Sequence, residues 1–332
     1  MKSFALLIHG SLENEWLENI KNKINSFKYK FNQILFVVYA DDYERYCLRL
    51  KELGLYERVQ IVKVKDLINP GFFNINRQIM CVNKGLECIQ DNSFVFKLRN
   101  DQCIDFNKVA KFSNTDKVIT TNCFSRKDRL YHPSDMFLAA NKELLVKMYS
   151  MPYQKETHVM TEMKNIKLYK ENPELTYIPI SPESALCRYY LKLNGWDTKN
   201  TFDDSFKALK KYYLILNSWN VDFRWNKKRT YLCPSGYIIL PHYFSLKPFE
   251  NAPEEKAVCF VQSDFENRFP TIKDFYFIAK SKIIWFLYST KQKTNTKSSK
   301  NLYTILRYKM LKVLPYFLVE REVKRLKQKI NN

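Results

Sequence analysis

The chain begins with short, continuous apolar runs that alternate with segments of helical periodicity. The apolar runs at 4–8 and 34–39 are only five and six residues long, and a third strand is predicted at 59–64. Such runs are typical of strands that are buried on both faces. The segments between them, 14–24 and 43–53, carry apolar residues at helical spacing. The order of strand, helix, strand, helix and strand predicts the start of a Rossmann-type, mostly parallel sheet flanked by helices.

The central stretch 74–105 continues this alternation with a polar loop, an amphipathic helix and an apolar strand at 94–98. Further strands are predicted at 118–121, 134–140, 212–216 and 237–240, and further helices at 142–149 and 184–193. From about residue 274 the chain changes to apolar and aromatic segments separated by a polar linker. We therefore predict an α/β domain over residues 1–273 and a basic, helical C-terminal appendage over residues 274–332.

Polar residues stand where three of the predicted strands end. Gly10 and Ser11 follow the first strand, and Asp41 follows the second. The strand at 94–98 ends in the triplet Arg99-Asn100-Asp101. Because the carboxyl ends of parallel strands meet at one edge of a sheet, where open α/β folds bind their ligands, these residues are candidates for a shared site.

Asp101 is the strongest candidate in that set for holding a metal ion. A hard carboxylate oxygen at a strand end suits Mn²⁺ or Mg²⁺ bound across a nucleotide-sugar diphosphate, and one carboxylate suffices when water and phosphate supply the other ligands. Arg99 occupies the position where a second carboxylate would complete an Asp-x-Asp motif. The alternative is a surface turn capped by Asp101. His242 is a second candidate for a metal or phosphate contact, against a purely structural histidine.

A second polar cluster lies just upstream, at the start of the predicted helix. It consists of Asn74, Asn76, Arg77 and Gln78. Amide and guanidinium groups at a helix start can bind a phosphate and sugar hydroxyls. Ordinary helix capping by asparagine is the alternative.

Two carboxylates further along the chain are candidates for a general base. Glu183 stands in the first turn of a helix that Pro182 opens, where the helix dipole favours the ionised form. Asp135, in the apolar segment 134–140, is its rival. An inverting sugar transfer needs one such base to deprotonate the acceptor hydroxyl.

The charge of the chain is strongly positive and unevenly distributed. The net charge is +21, and residues 280–332 contain 14 Lys or Arg against 2 Glu. AT-rich coding explains a lysine-rich composition but not this concentration. Lysine and arginine mixed with Trp, Phe, Tyr and Leu are typical of helices at an anionic membrane surface. Nucleic acid is not expected, since the segment has no known nucleic-acid-binding motif.

The lack of recognisable targeting signals and the cysteine usage are consistent with a cytoplasmic protein. No run reaches the roughly 18–20 apolar residues that span a bilayer, and the N-terminal segment lacks the features of a signal peptide. The eight cysteines contain no Cys-x-x-Cys pair, which argues against zinc and is consistent with free thiols in a reducing compartment. We therefore expect a cytoplasmic protein held at the inner face of the plasma membrane.

Several short motifs resemble those of the WavE family of lipopolysaccharide-synthesis proteins. They are Asn-x-Asn-Arg-Gln-Ile at 74–79, Gly-Leu at 85–86, Lys-Leu-Arg-x-Asp at 97–101, Ser-Asp-Met-Phe at 134–137 and Pro-Glu at 182–183. The resemblance covers roughly residues 3–200. It implies a GT-A-like glycosyltransferase in which Asp101 holds the metal and diphosphate, Asn76, Arg77 and Gln78 line the donor site, and Asp135 and Glu183 serve the acceptor.

The expected activity is transfer of a sugar from a nucleotide-sugar, expected to be UDP-linked, to a hydroxyl of a bacterial surface glycan. Lipopolysaccharide core, O-antigen and capsule, free or lipid-linked, are the acceptors that the resemblance implies. Two alternatives remain open at this stage. One is a nucleic-acid-binding protein driven by positive charge, and the other is a transferase of sugar phosphates or polyol phosphates in cell-surface polymer synthesis.

Overall fold

A computed structural model describes residues 2–12, 14–127, 129–155, 181–225, 260–266 and 269–277 of the chain. The predicted strand at 237–240, His242 and all of 278–332 lie outside these ranges. The membrane-binding role expected of the C-terminal appendage therefore stays a prediction.

A seven-stranded sheet forms the centre of the described structure. Its strands lie in the order β3-β2-β1-β4-β7-β6-β8. Every neighbouring pair is parallel except the two that involve β7, which is antiparallel to β4 and β6. A separate two-stranded sheet pairs β5 with β9. The strands are β1 (Ser3–His9), β2 (Phe31–Tyr39), β3 (Gln60–Val64), β4 (Ser93–Arg99), β5 (Gln102–Cys103), β6 (Val118–Thr121), β7 (Leu138–Asn141), β8 (Tyr213–Leu216) and β9 (Arg224–Trp225).

Helices cover both faces of the large sheet. They are α1 (Asn14–Asn25), α2 (Tyr43–Glu52), α3 (Ile75–Cys88), α4 (Phe106–Ala110), α5 (Lys142–Tyr149), α6 (Pro182–Leu193), α7 (Phe202–Tyr212) and α8 (Ser263–Glu266). Two separate hydrophobic clusters fill the two sheet–helix interfaces. The predicted architecture of a Rossmann-type, mostly parallel sheet between helices is confirmed.

The strand predicted at 134–140 is shorter than expected. Only Leu138–Asn141 forms a strand, and it runs antiparallel to its neighbours. The preceding residues are held in a loop, because the Ser134 amide donates to Ser125 Oγ at 2.8 Å and the Thr120 hydroxyl lies 2.8 Å from the Ser134 carbonyl oxygen. These side-chain bonds replace the ladder bonds of a strand. Asp135 consequently lies in a loop.

Three helices in the described ranges were not predicted, and one of them, α8, is only four residues long. The helix Phe202–Tyr212 contains charged residues on several sides, so its apolar face was not recognised in the sequence. Thr201 caps this helix by accepting a hydrogen bond from the Asp204 amide. Phe106–Ala110 is a single short helix that Asp105 caps. Both of the longer helices begin with the capping residues that helix N-termini favour.

The segment 269–277 crosses the predicted domain boundary and packs against the sheet domain. Asp274 is fully buried and accepts hydrogen bonds from Asn217 Nδ2 at 2.7 Å and from Trp219 Nε1 at 2.9 Å. The Phe277 ring stacks on Trp219 with centroids 5.1 Å apart. Residues up to 277 thus share the packing of the sheet domain. No helix in the described ranges is long and apolar enough to cross a membrane.

Candidate functional site

The carboxyl ends of β1 and β4 lie side by side and are tied together by Asn100. Its amide N–H donates to the His9 carbonyl oxygen at 3.1 Å, and its side-chain amide donates to the Ser11 carbonyl oxygen and to the Tyr46 hydroxyl. Gly10 has φ +120°, and a Cβ there would lie 3.1 Å from Asn100 Oδ1. The turn after β1 therefore depends on glycine. The structure brings together the predicted residues Gly10, Ser11 and Asn100.

Asp101 forms an ion pair with Arg99 across the same strand end. Arg99 Nη2 lies 2.8 Å from Asp101 Oδ2, and the Trp225 indole N–H donates to the same oxygen at 2.8 Å. Arg99 is the exposed member of the pair, with 37% of its side chain accessible against 7% for Asp101. Trp225 reaches this position because β9 pairs with β5, directly after Asp101.

Three buried polar atoms at this edge have no hydrogen-bond partner among the described residues. They are His9 Nε2, Asp101 Oδ1 and Gln102 Nε2. Leaving such atoms unpaired costs free energy, on the order of 1–3 kcal/mol each. Burial, with the positive charges of Lys97 and Arg99, holds the pKa of His9 well below its ordinary value. The edge therefore combines unused hydrogen-bonding capacity with positive charge.

Lys97 is a fully buried lysine beneath the strand end. Its ammonium group donates to the Asp135 carbonyl oxygen at 2.6 Å and lies 3.4 Å from the Met136 carbonyl oxygen. Burial lowers the pKa of Lys97 to about 8, and the carboxylate of Asp135 partly opposes that shift. The lysine thus fixes the loop that carries Asp135 and adds positive charge close to Arg99.

Glu183 lies in the first turn of α6, which Ser181 caps by accepting a hydrogen bond from the Ser184 amide. We expected the helix N-terminus to keep this carboxyl ionised. Instead, burial and then the negative charge of Asp135 raise its pKa to about 8, and these effects outweigh hydrogen bonds from its own amide and from Ser181. Glu183 therefore carries a proton at neutral pH.

Asp135 and His132 are other polar residues near Glu183, and these three residues are called the acidic part of the site. Neither carboxylate oxygen of Asp135 has a hydrogen-bond donor among the described residues, although the charge of Asp135 raises the pKa values of Glu183 and Tyr149. His132 Nε2 lies 3.9 Å from Glu183 Oε2. His132 Nδ1 donates to the Phe124 carbonyl oxygen at 3.0 Å in the neutral ring, and burial holds its pKa well below the ordinary value.

The predicted cluster at 74–78 uses its polar groups within the protein. Arg77 forms two hydrogen bonds with the Asp66 carboxylate and a third with Asn74 Oδ1. Asn76 is buried and bonds the Gln154 amide, the Gln154 carbonyl oxygen and the Asn69 carbonyl oxygen.

Gln78 is the member of this cluster that connects to the acidic part of the site. Its side-chain amide donates to the Tyr149 hydroxyl at 3.0 Å. The charge of Asp135 acts on the same tyrosine. Asn74 adopts a left-handed conformation and makes no side-chain capping bond, so the alternative of ordinary capping by Asn74 does not describe it.

After β2, Asp42 contacts the turn that follows β1, whereas the predicted residue Asp41 does not. The Leu12 amide donates to Asp42 Oδ2 at 3.4 Å, whereas Asp41 is exposed. A cavity of about 500 Å³ lies elsewhere, where α1 leads into the start of β2, and it is lined by Lys28, Lys30 and Arg58 among others. That cavity is at the opposite edge of the sheet from Asp101.

The donor set at Asp101 does not fit a metal ion held by the described residues. No three His, Cys, Asp or Glu side chains in the described ranges are grouped as ligands. Asp101 offers one unpaired oxygen, while the other already accepts hydrogen bonds from Arg99 and Trp225. A cation at this carboxylate would also lie beside the guanidinium of Arg99. His242, the other predicted ligand, lies outside the described residues.

Several residues of this site were missed in the sequence, although some signals were present. Lys97 is a charged residue inside a run of apolar residues that are buried on both faces, and this contradiction marks a functional or specifically paired lysine. His9 ends a buried strand immediately before the glycine turn. His132, Tyr149 and Trp225 gave no signal, because only the tertiary structure brings them to this edge.

Comparisons with known proteins do not identify the chain. No protein-family model matches it, and no curated protein matches its sequence. The WavE resemblance therefore stays a prediction that rests on short motifs.

Solved structures share parts of the fold at low similarity. Glucosyl-3-phosphoglycerate synthase from Mycobacterium tuberculosis, in complex with Mn²⁺, uridine diphosphate and glucosyl-3-phosphoglycerate, is 13% identical, with 60% of this chain and 82% of that chain covered and a TM-score of 0.32. 4-diphosphocytidyl-2C-methyl-D-erythritol synthase from Anaerococcus prevotii is 14% identical, with 49% and 83% covered and a TM-score of 0.33. HddC from Yersinia pseudotuberculosis is 8% identical, with 45% and 80% covered and a TM-score of 0.31. Similarity at this level transfers no function to the chain.

Proposed function

We propose that the protein is a transferase that uses a nucleotide-sugar donor, and specifically a glycosyltransferase that moves the sugar to a hydroxyl group. The observation that carries this proposal is the arrangement at the carboxyl ends of β1 and β4. There the Arg99–Asp101 pair and the glycine turn at Gly10 share a strand end with Lys97, whose pKa is influenced by Asp101, Asp135 and Glu183. Anion-binding groups beside titratable carboxyls are what a diphosphate-linked sugar and its acceptor require.

The two carboxyl groups take different parts in the proposed reaction. Glu183 keeps its proton at neutral pH, so it serves as a hydrogen-bond donor toward the substrates. Asp135, whose carboxylate has no hydrogen-bond donor among the described residues, is the base that takes the proton of the acceptor hydroxyl. Burial that keeps one carboxyl protonated beside a second carboxyl is a recurring way to divide such roles.

The acceptor and the location are proposed from the sequence motifs and the charge. The motifs at 74–79 and 97–101 resemble those of proteins that build lipopolysaccharide, so the proposed acceptor is a hydroxyl of a bacterial surface glycan. The 14 basic residues in 280–332 favour attachment to an anionic membrane at its cytoplasmic face. UDP is the proposed nucleotide of the donor.

A panel of nucleotide-sugars tests the proposal. The protein is incubated with each donor, with and without a mixture of bacterial glycan acceptors, and free nucleotide is measured. We expect one donor to release nucleotide at a rate that depends on acceptor. Asp135→Asn should lower kcat by about 10²–10⁴-fold while the dissociation constant of the donor stays unchanged.

A control variant separates catalysis from folding in that experiment. Asp91→Asn removes an exposed carboxylate that pairs with Lys142 far along β4 from the site, and it should leave the rate unchanged. Absence of nucleotide release with every donor, together with absence of nucleotide binding, would refute the assignment.

A further inference from the structure

The edge formed by β1 and β4 carries a fixed positive charge at the place where the sequence predicted a divalent cation. Arg99 points a guanidinium group toward solvent while Asp101, its partner at 2.8 Å, is nearly buried. Only one hydrogen bond of that guanidinium is used within the described part of the chain. Its other N–H groups remain available to a ligand.

The electrostatic balance of this edge favours an anion over a cation. Lys97 and Arg99 lie beside the single carboxylate of Asp101, and both cations depress the pKa of the buried His9. A divalent cation at Asp101 would bind a carboxylate whose other oxygen already pairs with the guanidinium of Arg99. A diphosphate, in contrast, would gain from both positive charges.

We propose that Arg99 takes the place of the divalent cation: its guanidinium binds the diphosphate of the donor, Asp101 holds it in position, and donor binding requires no metal ion. This inference rests on the proposed function. Arginine suits the role because its planar fork matches phosphate oxygens in a bidentate geometry and stays charged at all working pH values. Trp225, which donates to the same oxygen of Asp101, fixes the carboxylate from its other side.

The chemistry balances without a metal. The acceptor oxygen forms a bond with the anomeric carbon of the sugar as the bond from that carbon to the diphosphate oxygen breaks. The electron pair of the broken bond goes to the nucleoside diphosphate, and the proton of the acceptor hydroxyl goes to Asp135. Arg99 stabilises the negative charge that develops on the leaving diphosphate, which is the task a Lewis acid otherwise performs.

Calorimetric binding of UDP and of the active nucleotide-sugar tests the inference directly. The full-length protein is titrated in excess EDTA and again with Mn²⁺ or Mg²⁺. We expect the two dissociation constants to agree within about threefold. Arg99→Ala should weaken binding by at least about 30-fold in both conditions, and Arg99→Lys should restore part of it, since a lysine keeps the charge but loses the fork. Arg58→Ala, an exposed arginine at the opposite edge of the sheet, is the matched control.

A second variant tests the same idea in the opposite direction. Arg99→Asp turns the triplet at 99–101 into two carboxylates around Asn100, the donor set that suits a hard divalent cation. We expect this variant to lose binding in EDTA and to regain part of it with Mn²⁺. Circular dichroism establishes that the variant is folded before it is titrated.

Three results would overturn the inference. The first is loss of wild-type binding in EDTA with recovery in Mn²⁺. If His242→Ala also abolishes that recovery, the metal site predicted from the sequence is correct. The second is unchanged binding by Arg99→Ala. The third is absence of nucleotide binding in every condition, which refutes the proposed function itself and is thereby distinguishable from the other two.

Discussion

The two polar clusters predicted to bind the donor differ in how they use their hydrogen-bonding groups. In the cluster at 74–78, Asn76 and Arg77 form hydrogen bonds with the loops around Asn69, Gln154 and Asp66. At the strand edge, His9 Nε2 and Asp101 Oδ1 are buried without a partner in the described structure. Polar side chains thus stabilise the fold in one place and keep unused hydrogen-bonding capacity in the other.

The comparison shows that polar residue types alone do not predict a ligand site, because the sequence does not show which hydrogen bonds the protein itself satisfies. A side chain whose bonds are satisfied by the protein must give them up before it can bind a substrate, and that exchange reduces its net contribution. A guanidinium with unused N–H groups, such as that of Arg99, gains when an anionic ligand arrives. We therefore assign donor binding to the strand edge and a structural role to Asn76.

Among the substitutions that test this comparison, Asp101→Asn is expected to have the largest effect. Removal of the negative charge leaves Arg99 without its ionic partner, so the guanidinium loses its fixed position toward the diphosphate. We predict a decrease in kcat/KM for the nucleotide-sugar of about 10²–10³-fold, the range that follows loss of one preorganised electrostatic group. Steady-state kinetics measure it, with Asp91→Asn as the control. If Asp101→Asn had the kinetics of the wild type, the strand edge would not be part of the donor site.

Asn76→Ala tests the opposite side of the comparison. The substitution leaves the Gln154 amide, the Gln154 carbonyl oxygen and the Asn69 carbonyl oxygen without their partner. We predict a loss of about 2–4 kcal/mol in the free energy of unfolding, since each buried group left unpaired costs about 1–3 kcal/mol. Urea denaturation measures it. Asn83→Ala, which removes one hydrogen bond to the Tyr149 carbonyl oxygen, should cost less. If Asn76→Ala lost donor binding without losing stability, Asn76 would be a donor-binding residue, as the sequence motif implied.

Glu183→Gln should alter how stability depends on pH. Burial raises the pKa of Glu183 from 4.5 to about 8, so the folded protein holds a proton that the unfolded chain releases. The free energy of unfolding of the wild type therefore falls as the pH rises from about 5 to 8. In Glu183→Gln this fall should be smaller by about 1–3 kcal/mol, a discounted fraction of the 1.4 kcal/mol per pKa unit. Identical pH profiles for the two proteins would show that Glu183 is ionised at neutral pH.

The smallest effect is expected for Arg77→Ala. Its ion pair with Asp66 is partly exposed, with 34% and 43% of the two side chains accessible, and exposed pairs contribute about 0.2–1 kcal/mol. We predict a change of less than about 1 kcal/mol in unfolding free energy and no change in the KM for the donor. A large rise in that KM would restore the role that the sequence motif implied for Arg77.

The sheet was largely predictable because its strands are continuous apolar runs. The predicted runs at 4–8, 34–39 and 118–121 all became strands, since a strand buried on both faces needs apolar residues throughout. The reversal of β7 was not predictable, because the loop that precedes it is held by side-chain bonds to Ser134 from Ser125 and from Thr120 of β6.

The site was predictable only where neighbouring strands end. Asn100 and Gly10 follow adjacent parallel strands, so strand order alone brings them together. The protonation state of Glu183 could not be predicted, because it depends on burial and on Asp135, which is 48 positions away in the sequence. Trp225 could not be assigned either, since its contact with Asp101 spans 124 positions.

The most direct test of the account is a crystal structure of the protein with an unreactive analogue of the donor that the panel identifies, grown in EDTA. We predict that the diphosphate lies at the carboxyl ends of β1 and β4, within hydrogen-bond distance of the Arg99 guanidinium, with the sugar directed toward Asp135 and Glu183. A diphosphate bound at the cluster formed by Asn74 and Arg77, or in the cavity beside Lys28 and Arg58, would contradict it.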